Sequence, residues 1–187
     1  KGTKSKMDRH IQAPFDKKQA EELSVGDYVY ITGTIYTARD AAHKRMYEAL
    51  QNGEQLPIDI ENQIIYYMGP SPAREGRPIG SAGPTTSSRM DKYTPQLLDL
   101  KLGGMIGKGK RSTSVIEAIK RNDAIYFAAV GGAGALLSKC IKESEVVAYD
   151  DLGTEAIRKL TVKDFPVIVV IDSKGENLYE KNIINGI

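Results

Sequence analysis

The spacing of apolar and polar residues along this chain changes repeatedly between two periods, and each change predicts a strand followed by a helix. Residues 27–36 are rich in β-branched and aromatic side chains and predict a strand with a bulge at Gly33. From Thr37 the apolar residues follow helical spacing, and Gly53 is a fitting stop for that helix. The helical apolar positions are Ala42, Met46, Ala49 and Leu50.

The same alternation continues through most of the chain. Strands are predicted at residues 63–68, 103–107, 124–130, 146–149 and 167–171, and residues 69–80 form a loop. Helices are predicted to begin at the Thr94-Pro95 pair and after residue 112, then over 136–141, with a helical turn or two over 154–159. This order predicts an α/β domain with a largely parallel sheet, whose site lies at the carboxyl ends of the strands.

A stretch from Gly83 to Asp91 combines a turn, several hydroxyls and one guanidinium group. Ser88 and Asp91 have the spacing of a capping box, which predicts that a helix begins near Thr86. The free amide groups of its first turn would favour an anion. A capped helix start alone would explain the hydroxyls, but it would not explain Arg89.

Composition narrows the possible cofactors and partners. With 26 basic and 24 acidic residues the net charge is only +2, so the total predicts no strong attraction to nucleic acid. The single cysteine, Cys140, follows Leu136 and Leu137 on a predicted apolar helix face, where it is a small core residue. One thiol cannot hold a zinc ion or an iron-sulfur cluster by itself, so any cluster is expected on another chain.

Length and hydropathy predict a cytoplasmic protein of one domain. The 187 residues contain no apolar run of about 18 residues and no apolar core of a secretory signal near the start. Residues 1–20 are interpreted as a polar lead-in, and residues 21–187 as a single domain.

Two further motifs carry candidate chemistry. Arg39 and His43 lie four residues apart and therefore share a helix face. They are either solvated residues or site residues. Alternatively, His43 orients Arg39 or Asp40. The turn Gly107-Lys-Gly-Lys-Arg-Ser112 lacks P-loop spacing and, taken alone, fits a phosphate or RNA loop or a basic surface turn. Lys110 and Arg111 are predicted to be surface residues.

A third glycine-rich run, Gly131-Gly-Ala-Gly134, is only weakly similar to a dinucleotide fingerprint. Close packing of a strand against a helix explains these glycines better.

Four stretches together resemble the beta subunit, or C-terminal half, of the class I fumarases and L-tartrate dehydratases, which are iron-sulfur hydro-lyases. The stretches are Thr37–Arg45, Gly83–Asp91, Met105–Ser112 and Val130–Leu136, and their order and spacing fit across about residues 20–180. The resemblance implies a swivelling three-layer β/β/α domain. It also implies a [4Fe-4S] cluster held by a separate alpha subunit, with two alpha and two beta chains in the assembly.

The resemblance assigns roles to individual residues. Thr85 and Lys108 are implied to be catalytic, and Arg39, Thr86, Arg89 and Lys108 to bind the substrate, with His43 and Asp40 as supporting positions. Lys110 departs from the asparagine that is more usual there. Because a threonine hydroxyl is a very weak acid, Thr85 could act as a base only in a strong positive potential, for which Lys108 is the natural source.

The expected reaction is the reversible hydration of fumarate to L-malate, a step of the tricarboxylic acid cycle. Dehydration of L-tartrate is the alternative within the same class, since it uses the same cations on a similar dicarboxylate. A non-enzymatic module that binds anions or RNA through Lys108–Arg111 is the alternative from another class.

Overall fold

The computed structural model describes residues 8–73, 75–130 and 134–181. Within these ranges the chain forms a mixed α/β structure of seven strands and five helices. The strands are β1 (Arg9–Ala13), β2 (Tyr28–Thr37), β3 (Ile64–Tyr66), β4 (Gly104–Gly107), β5 (Ile125–Ala129), β6 (Ile141–Ala148) and β7 (Ile157–Ile171). The helices are α1 (Lys17–Glu22), α2 (Asp40–Gln51), α3 (Thr94–Asp99), α4 (Thr113–Asn122) and α5 (Gly134–Ser138), with 3₁₀ segments at Ser87–Met90 and Asp150–Glu155.

The seven strands form one sheet that closes partly on itself. Their order is β1-β2-β3-β4-β5-β7-β6, and an additional pairing joins β2 to β7. Strands β1 to β5 pair in parallel, whereas β7 runs antiparallel to β2, β5 and β6. The β2–β7 pairing therefore closes a ring of five strands, β2, β3, β4, β5 and β7, and β1 and β6 extend it at the edges.

Alternate residues of the parallel strands point into two separate cores, as the period of two in a strand requires. One core lies inside the partly closed sheet and contains Tyr66, Ile106 and Phe127 together with residues of β1, β2 and β7. The other contains Tyr67, Met105 and Tyr126 and is covered by helices α2, α3 and α4. Because both faces of β3, β4 and β5 are buried, these strands read as continuous apolar runs.

Several elements confirm the sequence predictions. The predicted strand over residues 27–36 is β2, and its pairing with β7 shifts register between Ile31 and Gly33, which is the predicted bulge. The predicted helix is α2, the apolar run 124–130 contains β5, and the glycine-rich stretch 103–107 contains β4. Helix α4 begins after Ser112, whose side chain accepts a hydrogen bond from the amide of Val115.

Other predictions were wrong. Of the helical turns predicted at 154–159, only residues 154 and 155 are helical, at the end of a 3₁₀ segment, and β7 begins at Ile157. At 15 residues β7 is far longer than the predicted strand at 167–171. Helix α5 ends at Ser138, so Cys140 does not lie on a helix face; it is half-buried in the following turn, and Leu136 is exposed. The strand predicted at 146–149 begins five residues earlier. Strand β1 and helix α1 were not predicted, and the division of the chain into a lead-in and one domain stays a prediction.

The prediction of a capping box at Ser88 and Asp91 was also wrong. The residues from Ser87 form only a short 3₁₀ helix, and its N-cap, Thr86, makes no side-chain capping bond. The carboxylate of Asp91 instead accepts hydrogen bonds from Arg111 and from the amide of Ser112, 21 residues away. Helix α3 likewise begins one residue earlier than expected, with Tyr93 as its N-cap and Pro95 within its first turn. Of the predicted Gly131-Gly-Ala-Gly134 run, residues 131–133 lie outside the described residues.

No helix in the described part of the chain is both long enough and apolar enough to cross a membrane.

The Gly33 bulge provides a test of the packing between β1 and β2. Gly33 has φ +130°, and a Cβ atom there would overlap the carbonyl oxygen of Ala13. Gly53 also has positive φ, but open space surrounds its missing Cβ. We expect Gly33→Ala to lower the free energy of unfolding by about 3 kcal/mol, from strain plus overpacking. Gly53→Ala should cost only about 1 kcal/mol. Equal losses in urea titrations would show that the Ala13 contact is unimportant.

Candidate active site

Three chain segments meet at the carboxyl ends of β2, β3 and β4. The backbone that follows β2 is tied to β3, because the amide of Ala38 donates to the carbonyl of Tyr66 at 3.1 Å. The amide of Thr85 donates to the carbonyl of Tyr67 at 2.7 Å. Thr86 forms a parallel bridge with Lys108, which directly follows β4. The predicted edge of the sheet is thus where the candidate residues lie.

Arg39 and Thr85 are in direct contact in this place. Arg39 Nη1 donates to Thr85 Oγ1 over 3.4 Å, a long hydrogen bond, and the Thr85 residue is buried. Arg39 Nη2 lies 3.6 Å from Glu155 Oε2, so the two ends of the guanidinium face different partners. Arg39 Nε is buried and has no partner among the described residues. The contact brings a fixed positive charge to a hydroxyl that is shielded from water.

Arg89 lies beside the start of α2 and forms an ion pair with Asp40, the residue after Arg39. Both side chains are substantially exposed, at 55% for Arg89 and 38% for Asp40. They line an open pocket of about 580 Å³. Its other lining residues are Ser88, Asp91, Lys92 and Tyr93.

Lys108 is positioned through its backbone. Its amide donates to Ser87 Oγ at 3.0 Å, and its carbonyl accepts from the amide of Ser87 at 2.9 Å. Thr86 and Lys108 are both exposed, so their side chains face the solvent at the same edge as Thr85. The structure therefore brings Arg39 and Thr85 into contact. Arg89 pairs with Asp40, the residue that follows Arg39 in the chain. Main-chain hydrogen bonds join Lys108 to the hydroxyl-rich stretch.

Arg111 was predicted as a surface residue, and this was wrong: its side chain is fully buried. Arg111 Nε donates to Asp91 Oδ1 at 2.7 Å, and Nη2 donates to Tyr67 at 3.0 Å and to Thr94 at 3.1 Å. Its guanidinium carbon lies 5.2 Å from the centre of the Tyr67 ring and 4.7 Å from that of Tyr126. Lys110 is exposed, as predicted, with its ammonium 5.8 Å from the Tyr179 ring centre.

The buried Arg111 links the segments that carry the candidate residues. The hydroxyl of Tyr126, against which it packs, donates to the carbonyl of Gly109 at 2.8 Å and shares a 2.7 Å hydrogen bond with Ser87 Oγ. Tyr67, its other aromatic partner, is the residue whose carbonyl holds Thr85. We call Arg111, Asp91, Tyr67, Thr94 and Tyr126 the Arg111 cluster. This cluster fixes the turn of Lys108 relative to the stretch that contains Thr85.

His43 lies beneath Arg39 and is almost completely buried, at 1% exposure. Its Nδ1 is 3.0 Å from the carbonyl oxygen of Arg39 and donates to it, while Nε2 has no partner among the described residues. Burial lowers the pKa of His43 from 6.5 to about 4, the bond to the Arg39 carbonyl opposes that shift, and the charge of Arg111 adds to it. His43 is therefore neutral at pH 7, and whether it has a role in the site stays a prediction.

Sequence reasoning missed Glu155 and the Arg111 cluster. Glu155 lies 114 residues from Ala41, yet its Oε1 accepts the amide of Ala41 at 2.8 Å, at the start of α2. Asp91 and Arg111 are 20 residues apart, and a basic turn gives no local sign that one of its cations is buried. No sequence signal for these contacts was available, because all of them are set by tertiary packing.

Within the described residues, no group of three or more His, Cys, Asp and Glu side chains is arranged to hold a metal ion.

The chain is similar to known proteins along almost its whole length. The family model described as Fumarase C-terminus matches residues 2–182. Fumarate hydratase 2 of Leishmania major is 40% identical over 178 residues, which are 92% of this chain and 31% of the relative. The aerobic class I fumarate hydratase of Escherichia coli strain K12 is 41% identical over 167 residues, which are 87% of this chain and 30% of the relative.

A relative from Methanocaldococcus jannaschii is matched over most of both chains. It is named "Putative L(+)-tartrate dehydratase subunit beta" and is 39% identical over 171 residues, which are 88% of each chain. The chain thus spans about a third of the length of the two fumarate hydratases but most of the length of this subunit. The structure defines a mixed α/β fold in which cationic side chains lie at the carboxyl ends of the parallel strands. The chain belongs to the Fumarase C-terminus family, which confirms the resemblance drawn from its four motifs.

The burial of His43 predicts a pH dependence of stability. The folded pKa of about 4 lies below the unfolded value of 6.5, so the unfolded chain binds the proton first as the pH falls. The stabilisation is present above pH 6.5, declines between pH 6.5 and 4, and is absent below. At about 1.4 kcal/mol per pKa unit, it amounts to about 3 kcal/mol. Urea titrations from pH 4 to 7 should show this slope in the wild type and its loss in His43→Gln; equal slopes would contradict the assignment.

The Arg111 cluster predicts a large difference between two arginines near the same helix. Arg111→Met leaves Asp91 without its buried partner and should lower the free energy of unfolding by about 3 kcal/mol. Arg121→Met removes a half-exposed arginine of α4 that pairs with Asp99, and little change is expected. Urea unfolding of both variants checks this, and similar losses would show that the Arg111 cluster does not stabilise the fold.

Proposed function

We propose that this chain is the beta subunit of a class I fumarate hydratase, a hydro-lyase that reversibly hydrates fumarate to L-malate. The observation that carries the proposal is the contact between Arg39 and the buried hydroxyl of Thr85, with Arg89 and Lys108 on the adjoining segments. Family membership and the names of the relatives support it. The residue roles follow from the chemistry of a dicarboxylate.

Removing a proton from the carbon next to a carboxylate increases the negative charge on that carboxylate. A guanidinium donates charge-assisted hydrogen bonds to carboxylate oxygens, so Arg39, through its Nη1 side, and Arg89 suit the two ends of the substrate. Lys108 adds a mobile point charge from the neighbouring turn. These three cations bind the charge-enriched state more strongly than the ground state, and such a difference lowers a barrier. Thr86, beside Lys108, is proposed to contribute a hydroxyl to substrate binding.

Thr85 is the proposed acid and base at that carbon. In the proposed hydration it gives a proton to the carbon, and in the reverse direction it removes one. A threonine can take up this proton only if its alkoxide-like form is stabilised. Two observations support this role: Arg39 donates a hydrogen bond to Thr85, and Thr85 is buried. Both strengthen the attraction between the Arg39 charge and a negatively charged Thr85 oxygen.

The residues of this chain do not fit the [4Fe-4S] cluster that the family resemblance implies. Such a cluster takes several cysteine thiolates, whereas the chain has one cysteine, Cys140, half-buried in the turn before β6. We therefore propose that a separate alpha subunit holds the cluster. The name of the Methanocaldococcus relative, a "subunit beta", supports a second kind of subunit.

Further parts of the proposal concern architecture and assembly. The two cores, one inside the partly closed sheet and one under α2, α3 and α4, support a three-layer β/β/α arrangement. A heterotetramer of two alpha and two beta chains and a place in the tricarboxylic acid cycle are proposed from the resemblance alone, and a cytoplasmic location is proposed from the hydropathy of the sequence.

L-Tartrate dehydration is a second candidate function. The specific observation in its favour is the match to the Methanocaldococcus relative over 88% of that protein's length. The same cations would hold the two carboxylates of tartrate. A binding module for RNA is less well supported, because Arg111 is buried and does not extend the charge of the Lys108 turn to the surface. Such a module would show salt-sensitive affinity for polynucleotides that survives Thr85→Ala.

Activity should require the partner. We expect the purified chain to fold but to show no turnover, and activity to appear on anaerobic mixing with a cluster-loaded alpha subunit. Assays with fumarate, L-malate and L-tartrate then identify the substrate. Full turnover by this chain alone would refute the two-subunit proposal.

In the assembled enzyme, Thr85→Ala should lower kcat by about 100-fold or more while KM is largely retained, because the proton-transfer group is lost and the cations remain. Thr113→Ala, at the exposed start of α4, is the matched control and should leave kcat unchanged. Steady-state kinetics with fumarate distinguishes the two. A Thr85→Ala enzyme with wild-type kcat would remove Thr85 from the mechanism.

A further inference from the structure

Glu155 makes two contacts that converge on the proposed substrate-binding arginine. Its Oε1 accepts the amide of Ala41 at 2.8 Å, in the first turn of α2, and its Oε2 lies 3.6 Å from Arg39 Nη2. The side chain is only 26% exposed. Arg39, the N-cap of α2, makes no side-chain capping bond, so Glu155 supplies this helix start with an acceptor from a distant segment.

The opposite side of Arg39 is also confined. A Cβ atom at Gly69 would lie 2.7 Å from Arg39 Nε and 2.9 Å from its Cζ. Gly69 therefore allows the guanidinium to lie against the backbone of the loop after β3. The same absent Cβ would lie 3.1 Å from the carbonyl oxygen of Thr154, next to Glu155. The guanidinium is thus held between the loop at Gly69 and the 3₁₀ segment that ends at Glu155.

We propose that Glu155 is a positioning residue, which fixes the Arg39 guanidinium so that Nη1 faces Thr85; this inference rests on the proposed function. Because Glu155 engages Nη2, only the Nη1 side of the guanidinium remains available to a substrate carboxylate. A carboxylate bound there brings its neighbouring carbon to the Thr85 hydroxyl. Glu155 also neutralises part of the Arg39 charge and therefore weakens the attraction between Arg39 and a dianionic substrate in the ground state. At the same time it orients the guanidinium that contacts the substrate.

Charge and orientation can be separated by two substitutions. In Glu155→Gln the amide oxygen can still accept from Ala41, but the carboxylate that holds Arg39 is lost. Gly69→Ala displaces Arg39 from the other side and leaves the charge unchanged. Asp151→Asn is the matched control: Asp151 lies in the same 3₁₀ segment and binds Arg45 of α2 through two 2.8 Å bonds.

The first measurement is nitrogen NMR of the arginine side chains in this chain, with the Arg39 signals assigned from Arg39→Lys. We expect slow rotation of the Arg39 guanidinium in the wild type and in Asp151→Asn, and faster rotation in Glu155→Gln. Unchanged Arg39 signals in Glu155→Gln would overturn the proposal. This measurement does not depend on enzyme activity, so it shows whether Glu155 holds Arg39 even if the assembled wild type does not hydrate fumarate. A lack of fumarate hydration would contradict the proposed function and not the positioning role of Glu155.

The second measurement is steady-state kinetics of the assembled enzyme with fumarate. Glu155→Gln should lower kcat by about ten-fold through misplacement of Arg39, while KM falls because the site gains positive charge. Gly69→Ala should lower kcat without that fall in KM, and Asp151→Asn should change neither. A wild-type kcat in Glu155→Gln, or a raised KM at unchanged kcat, would show that Glu155 does not position Arg39 for the reaction.

Discussion

The burial of one guanidinium group, that of Arg111, is the constraint on which the arrangement of the site depends. A buried cation is costly unless it is paired and hydrogen-bonded. Asp91, Tyr67 and Thr94 accept hydrogen bonds from Nε and Nη2, and the ring of Tyr126 packs against the group. These partners come from three different parts of the chain, and Nη1 has no partner among the described residues. Satisfying this single charge therefore fixes the end of β3, the stretch around Thr85 and the turn of Lys108 relative to one another.

The sheet topology explains why the candidate groups lie at one edge of the sheet. Parallel strands β2, β3 and β4 deliver three successive loops to the same edge. The loop after β2 contributes a guanidinium, the long excursion after β3 contributes hydroxyls and the guanidinium of Arg89, and the loop after β4 contributes an ammonium. The confined Arg39 and the buried Thr85 form the packed part of this edge, and the exposed Arg89, Thr86 and Lys108 form the part that faces solvent.

The sequence predicted the local features well and the long-range ones poorly. Helix α2 and strand β5 were predicted because their apolar spacing or continuous apolar run reflects burial directly. Strand β7 was missed over most of its length, since Asp164 and Pro166 interrupt its apolar pattern and its pairing with β2, β5 and β6 is set by tertiary structure. Three of the four motifs contain the candidate residues Arg39, Thr85, Arg89 and Lys108. Their supporting contacts, such as those of Arg111, join residues far apart in sequence and leave no local pattern.

The central claim is that cations from these three loops hold a dicarboxylate against the Thr85 hydroxyl. A crystal structure of the chain assembled with the proposed cluster-bearing partner and soaked with L-malate tests this most directly. The account predicts one carboxylate on Arg39 and the other on Arg89 or Lys108, with the proton-bearing carbon beside Thr85 Oγ1. L-Malate bound with neither carboxylate on these cations, or with Thr85 turned away from it, would contradict the account.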